Sequence, residues 1–221
     1  MRVIQVTATP GERVLRVCAM LGFGVRVRGN PREEAPLGRR VQAGVNRLGP
    51  GESLFITGAS GAGKTRMLSR IRAYLRSAGD VCVECGSVPV GGGRSWRNCA
   101  VIDLLEGTIQ DAMRVLASAG LSEGALLVRT AAELSEGQRW RLQLALAMQR
   151  CERERIKTER VFLIVDELVA NLDGLTGRCV CKMLSKWAAR LAVSIIAAGP
   201  RARAGGWLDA RMVVRLKGGR S

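Results

Sequence analysis

The chain has 221 residues, 47% hydrophobic and 24% charged, which suits one α/β domain with its own core and excludes a disordered chain or a fibrous repeat. Lysine and arginine number 35, of which 30 are Arg, against 19 Asp and Glu, and the net charge of +16 favours polyanions or an acidic partner protein, while the absence of any His excludes a histidine base. The longest apolar runs, Val161–Val165 and Leu191–Ala198, fall well short of the roughly 20 residues of a spanning helix, and Met1-Arg-Val-Ile-Gln-Val6 lacks the regions of a secretory signal, so a cytoplasmic location is expected.

In chain order, Val3–Val6 alternates as a short strand. Glu12–Leu21 carries apolar residues at helical spacing, and Val25–Arg28 alternates again, giving a small β-rich or mixed N-terminal section. Asn30–Pro36 reads as a loop and Gly49–Glu52 as a turn. The turn feeds a buried strand at Ser53–Thr57, then a glycine loop, a helix over Lys64–Ser77 and a strand at Val81–Glu84, an order that implies a parallel sheet. Pro89–Arg94 is a connection, and Ala100–Gln149 reads as mostly helical with breaks at Gly107, Gly120 and Gly137. Gln149–Arg160 is a charge run that reads as a solvated helix tip. Strand Val161–Val165, helix Thr176–Arg190 and strands Val193–Ala197 and Met212–Leu216 close the domain.

Gly58-Ala59-Ser60-Gly61-Ala62-Gly63-Lys64-Thr65 matches G-x-x-x-x-G-K-[ST], between a buried strand and a helix. In that setting backbone N–H groups and a helix N-terminus surround a triphosphate, Lys64 reaches its β- and γ-phosphates, and Thr65 offers a hydroxyl to magnesium. Arg66 completes the expected ATP-binding segment. Val161–Val165 ends in Asp166-Glu167. Asp166 is placed to hold the magnesium shell, and Glu167 to polarise an attacking water as general base.

Leu134-Ser135-Glu136-Gly137-Gln138 resembles the LSGGQ signature of ABC ATPases with Glu136 in place of one glycine. The same residues also make a capped helix start, Ser135 with Gln138. Ala170-Asn-Leu-Asp173 resembles the D-loop of that family, and Leu216-Lys-Gly-Gly219 its usual C-terminus. The resemblance runs from about Gly49 to Asp173. It implies an α/β P-loop NTPase core with a mostly parallel sheet, a short helical subdomain carrying the signature, and ATP with Mg2+ bound between two subunits. Ser135, Glu136, Gly137 and Gln138 then face the ATP of the opposite subunit, Asp173 links the two sites, and Lys64 and Glu167 carry hydrolysis. The implied layout is one domain: a section at 1–48, a P-loop core at 49–90 and 158–221, and a helical subdomain at 91–157.

Departures from the family pattern limit the reading. The switch histidine is absent, with Ala198 or Gly199 at its position, which implies slow turnover or a partner. Val90 stands where the Q-loop glutamine is expected, and no aromatic stands shortly before Gly51 to stack on adenine, since Phe23, the only nearby candidate, reads as core. With Arg13–Gly24, these departures resemble a soluble group of ABC ATPases, some joined to acetyltransferase-like domains. A soluble machine, dimeric with itself or a relative, is therefore preferred over the ATP-binding subunit of a transporter with a membrane permease partner, or a degenerate ATP-binding module. Nucleic acid is a further partner left open by the charge, although arginine is spread along the whole chain, as coding bias also gives. Of seven cysteines, Cys82, Cys85, Cys179 and Cys181 are spaced to offer four thiolates to zinc, but Cys82 lies in a strand-like run and reads as core.

Overall fold

A computed structural model describes residues 2–6, 12–27, 37–86 and 98–216. It forms two compact units, 1–36 and 37–221. In the first, β1 (Arg2–Val6) and β2 (Phe23–Val27) pair in parallel, Arg2 opposite Phe23 and Val6 opposite Val27, joined through α1 (Glu12–Met20). The mixed N-terminal section is thus a single βαβ turn of chain. The expected section 1–48 extends into the second unit, because α2 (Arg39–Asn46) buries Val41 and Val45 against Leu54 and Ile56 there. The loop expected at Asn30–Pro36 lies outside the described residues.

The second unit is built on β3 (Ser53–Gly58), β4 (Val81–Glu84), β5 (Val161–Val165), β6 (Ser194–Gly199) and β7 (Met212–Leu216). All pair in parallel, in the order β4-β5-β6-β3-β7. A parallel sheet is covered on both faces, which is why its central strands β3, β5 and β6 read as apolar runs, while the edge strands β4 and β7 are only half-buried. Alternate residues serve opposite faces. Leu54, Ile56, Phe162, Ile164 and Ile196 meet α2 and α3 (Lys64–Ser77). Phe55, Leu163, Val165 and Ile195 meet α6 (Glu136–Lys157) and α7 (Gly174–Leu191).

Between β4 and α6 lie a 3₁₀ turn at Ile102–Leu104, α4 (Ile109–Ser118) and α5 (Gly124–Leu127), the expected helical region. α8 (Arg203–Trp207) packs on α7. The charge run Gln149–Arg160 differs from the expected solvated tip, since several of its residues point at partners. Glu152 accepts from the Trp187 indole at 2.8 Å and from Arg114, and Arg155 donates to the Leu191 carbonyl at 3.1 Å. Among the described residues no helix is long and apolar enough to cross a membrane.

Candidate functional site

Strand β3 ends at Gly58, and the chain turns through Ala59–Gly63 before α3 begins at Lys64. Gly61 and Gly63 have φ of 76° and 85°, a left-handed conformation that glycine adopts without the Cβ penalty. A Cβ on either would meet nothing within 4 Å, so backbone conformation rather than crowding calls for glycine here, and the space over the loop is open. Lys64 is buried, and its ammonium curls back to donate to the Gly58 and Ala59 carbonyls at 3.2 Å each. A buried cation needs such partners. The donors hold it at the centre of the loop. Ser60, Gly61, Thr65 and Arg66 are exposed around it, and Ala62 closes a turn onto the Ala59 carbonyl at 3.1 Å.

The end of β5 comes to the same place. Thr65 Oγ1 donates to Asp166 Oδ2 at 2.6 Å, although the two are 101 residues apart, while the other Asp166 oxygen accepts from the Glu167 amide at 2.9 Å. A hydroxyl and a carboxylate side by side are hard oxygen donors of the kind magnesium takes alongside phosphate oxygens and waters. Glu167 itself is exposed with φ of 51°, and Val169 follows at 54°. Non-glycine residues in this region are strained, most of all a β-branched one, and such strain gathers at functional sites. The strain is held in place by the Leu168 amide, which donates to the Ala198 carbonyl of β6 at 2.7 Å.

The second group of expected site residues lies at the start of α6. Ser135 caps it. The Gln138 amide donates to Ser135 Oγ at 3.3 Å and the Ser135 amide to Gln138 Oε1 at 2.9 Å, a full capping box. The cap uses the Ser135 hydroxyl as acceptor and leaves its O–H to donate elsewhere. Glu136, where the family has glycine, accepts from Asn171 Nδ2 at 2.7 Å. At Gly137 a Cβ would lie 3.2 Å from Leu172 Cδ2 and 3.3 Å from the Asn171 carbonyl, so the 170–173 turn sits directly against the glycine. Asp173 caps α7, accepting from the Leu175 and Thr176 amides at 2.9 Å each. Thr176, through side chain and backbone, and then the Leu175 amide hold its carboxyl below the usual range.

Lys64, Thr65 and Asp166 are therefore brought together, and Ser135–Gln138 meets the 170–173 turn. The two groups are linked through the backbone, where the Ala170 amide donates to the Glu167 carbonyl at 3.0 Å. Two participants were missed in the sequence. Asn171 lay inside the D-loop-like segment but had no stated partner, and Arg201, which donates to the Leu172 carbonyl at 2.7 Å, follows β6 with no motif to mark it. Val90 lies outside the described residues. Burial pushes the thiols of Cys82 up to about 11 and of Cys85 and Cys181 up to about 12, opposite to what thiolate ligands require, and among the described residues no cluster of ligands for a metal is assembled.

The parallel sheet in this order, with a glycine loop after β3 and an acidic pair after β5, has the fold of solved ATP-binding cassettes. The likeness to solved structures agrees. The chain is similar to the ATP-binding cassette MJ0796 in a dimeric post-hydrolysis state bound to ADP and Pi, at 16% identity over 77% of this chain and 84% of that one, with a TM-score of 0.55. It is likewise similar to dimeric MJ0796, described as a bacterial ABC transporter cassette, at 18% identity over 77% and 83%, with a TM-score of 0.54. No family model matches the chain, and no curated protein matches it in sequence.

Proposed function

We propose that the protein hydrolyses ATP between two cassette subunits, and that it does so as a soluble machine outside a transporter. The observation that carries the reading is the convergence of Lys64, Thr65 and Asp166 at one end of the sheet. In this reading the loop amides of residues 59–63 and the α3 N-terminus bind the phosphates, and Lys64 exchanges its two carbonyl partners for the β- and γ-phosphate oxygens. Thr65 and Asp166 would hold the magnesium ion, which when bound offsets charge on the phosphates. Glu167, freed from the strand by its left-handed backbone, orients and deprotonates the attacking water. Ser135 and the Gly137 amide donate to the γ-phosphate of ATP held by the opposite subunit, and Asp173 lies at the turn between the two sites. With no histidine in the chain, the donor set around the transferring group is short by one, so turnover is slow.

The soluble role rests on the missing Q-loop glutamine and the short helical region. A second reading, the ATP-binding subunit of a transporter, draws on the solved relative being a transporter cassette. The first test is Glu167→Gln, expected to bind ATP, to stop turning over, and to double its mass by light scattering at saturating ATP. A variant that binds ATP and stays monomeric would remove the shared site. A variant that binds none would remove the nucleotide assignment. Wild-type turnover in membrane-free solution supports the first role, and turnover appearing only with a multi-span permease supports the second.

A further inference from the structure

Helix α7 carries four cations at intervals of four residues, Arg178, Lys182, Lys186 and Arg190, all of them exposed. Its 18 residues include no Asp or Glu. None of the four makes a hydrogen bond or an ion pair among the described residues. Like charges four apart on a helix repel each other, so the pattern works against the helix that carries it. Helix α6 offers the contrast, because its basic residues are interleaved with acids and partly paired with them, as Lys157 is with Glu154. Coding bias toward arginine explains neither the lack of acids on α7 nor the presence there of two of the chain's few lysines, Lys182 and Lys186. No carboxylate pairs with the row among the described residues: Glu152 is paired with Arg114, and neither Asp173 nor Asp209, which follows the Leu208 carbonyl bonded by Ser185 of α7, forms an ion pair with any of the four.

We infer that the outer face of α7 binds the phosphate backbone of nucleic acid without reading its sequence. The opposite face of the helix is locked into the core by Val180, Cys181, Leu184 and Trp187, so α7 is a rigid rod and cannot turn an apolar side into a membrane. A rise of 1.5 Å per residue separates successive cations by about 6 Å and the outer two by about 18 Å, the length of axis over which one strand of a duplex presents about five phosphates. No aromatic side chain stands among the exposed residues of α7, which leaves base stacking out and the backbone as the ligand. Because Asp173 both ends the 170–173 turn and caps α7, the same helix ties this face to the turn that packs on the signature segment.

The inference does not depend on ATP hydrolysis, and its test uses the full chain without nucleotide. Binding to a labelled random-sequence duplex is followed by fluorescence anisotropy from about 50 to about 200 mM salt, where four phosphate contacts contribute about −3.6 to the slope of log affinity against log salt. The variant Arg178→Gln/Lys182→Gln/Lys186→Gln/Arg190→Gln is expected to lose about 3.6 of that slope and at least about tenfold in affinity at the lower salt. The control Arg39→Gln/Arg40→Gln/Arg47→Gln/Arg129→Gln has the same net charge and is expected to lose less than one unit of slope. Lys182→Gln/Lys186→Gln, a milder change, is expected to lose about half, with helix content and melting temperature unchanged. Equal losses in the two quadruple variants would overturn the inference, as would anionic lipid vesicles displacing the duplex or the absence of duplex binding by the wild type.

Discussion

The glycine-loop end of the sheet and the start of α6 are built on opposite plans. The first is closed by the core: β3 and β5 are buried along their length, Lys64 is enclosed by its own loop, and Thr65 meets Asp166 from 101 residues away. The second is closed locally, by a capping box spanning three residues and a turn laid against Gly137, and Ser135 and Glu136 remain exposed. The contrast teaches that one half of the candidate site is a product of folding, whereas the other presents donors at a surface, where in the proposed reading the ATP of a second subunit would meet them.

Stability measurements should separate the halves most sharply. Leu163 is fully buried in the middle of β5, three residues before Asp166. Leu163→Ala is expected to cost about 2–5 kcal/mol in urea unfolding and to lower ATP affinity with it. A loss below about 1 kcal/mol would mean that the strand is not the scaffold of the loop. Next in size is Lys64→Ala, which removes a charge-assisted contact worth about 1.5–3 kcal/mol, so nucleotide titration should show ATP binding weakened by about 10- to 100-fold. Ser135→Arg should leave that titration unchanged and abolish turnover. Lys64→Ala should also lose turnover at saturating ATP, because the contact it removes is to the transferring phosphate, and mixing the two inactive variants in equal amounts then tests the sharing directly. Half the dimers pair one of each, and one of their two sites has both Lys64 and Ser135 intact, so about a quarter of wild-type turnover should return. No recovery would mean that both residues serve the same subunit's ATP.

The two halves were unequally legible in the sequence. The loop and the acidic pair were readable because a turn with positive φ calls for glycine, as at Gly61 and Gly63, and because a strand buried on both faces leaves an unbroken apolar run that ends abruptly in Asp166-Glu167. The strand and helix alternation made a parallel sheet readable as well, but not the order β4-β5-β6-β3-β7, which depends on crossovers that apolar runs do not encode. At the second half the motif was visible but its packing was not. Nothing in Glu136 or Asn171 announces a partner 35 residues away, since a hydrogen bond between two exposed polar side chains leaves no periodicity. The charge run at Gln149–Arg160 misled for a related reason: Glu152 and Arg155 look solvated until α7 and α4 are laid beside them. Arg201 was invisible because its partner is a backbone carbonyl, which every residue has.

The smallest effect belongs to Asn171, and it bears on the departure at Glu136. Were Glu136 merely tolerated at a glycine position, losing its partner would change nothing. The Asn171 amide, however, reaches the Glu136 carboxylate at 2.7 Å, while the next residue's side chain approaches within 3.2 Å of the place a Gly137 Cβ would occupy. The pair therefore sets how closely the 170–173 turn lies on the segment that carries Ser135. Both side chains are exposed, so water replaces the bond at little cost, and Asn171→Ala should move unfolding free energy by less than about 1 kcal/mol. Its effect should appear in turnover, down about threefold to tenfold as Ser135 loses its fixed position, with ATP affinity of the monomer unchanged. Glu136→Gln keeps an acceptor oxygen for Asn171 and should retain most of the rate. If Asn171→Ala instead weakens ATP binding while sparing turnover of bound ATP, the turn belongs to the glycine-loop half and the division between the two regions fails at its boundary.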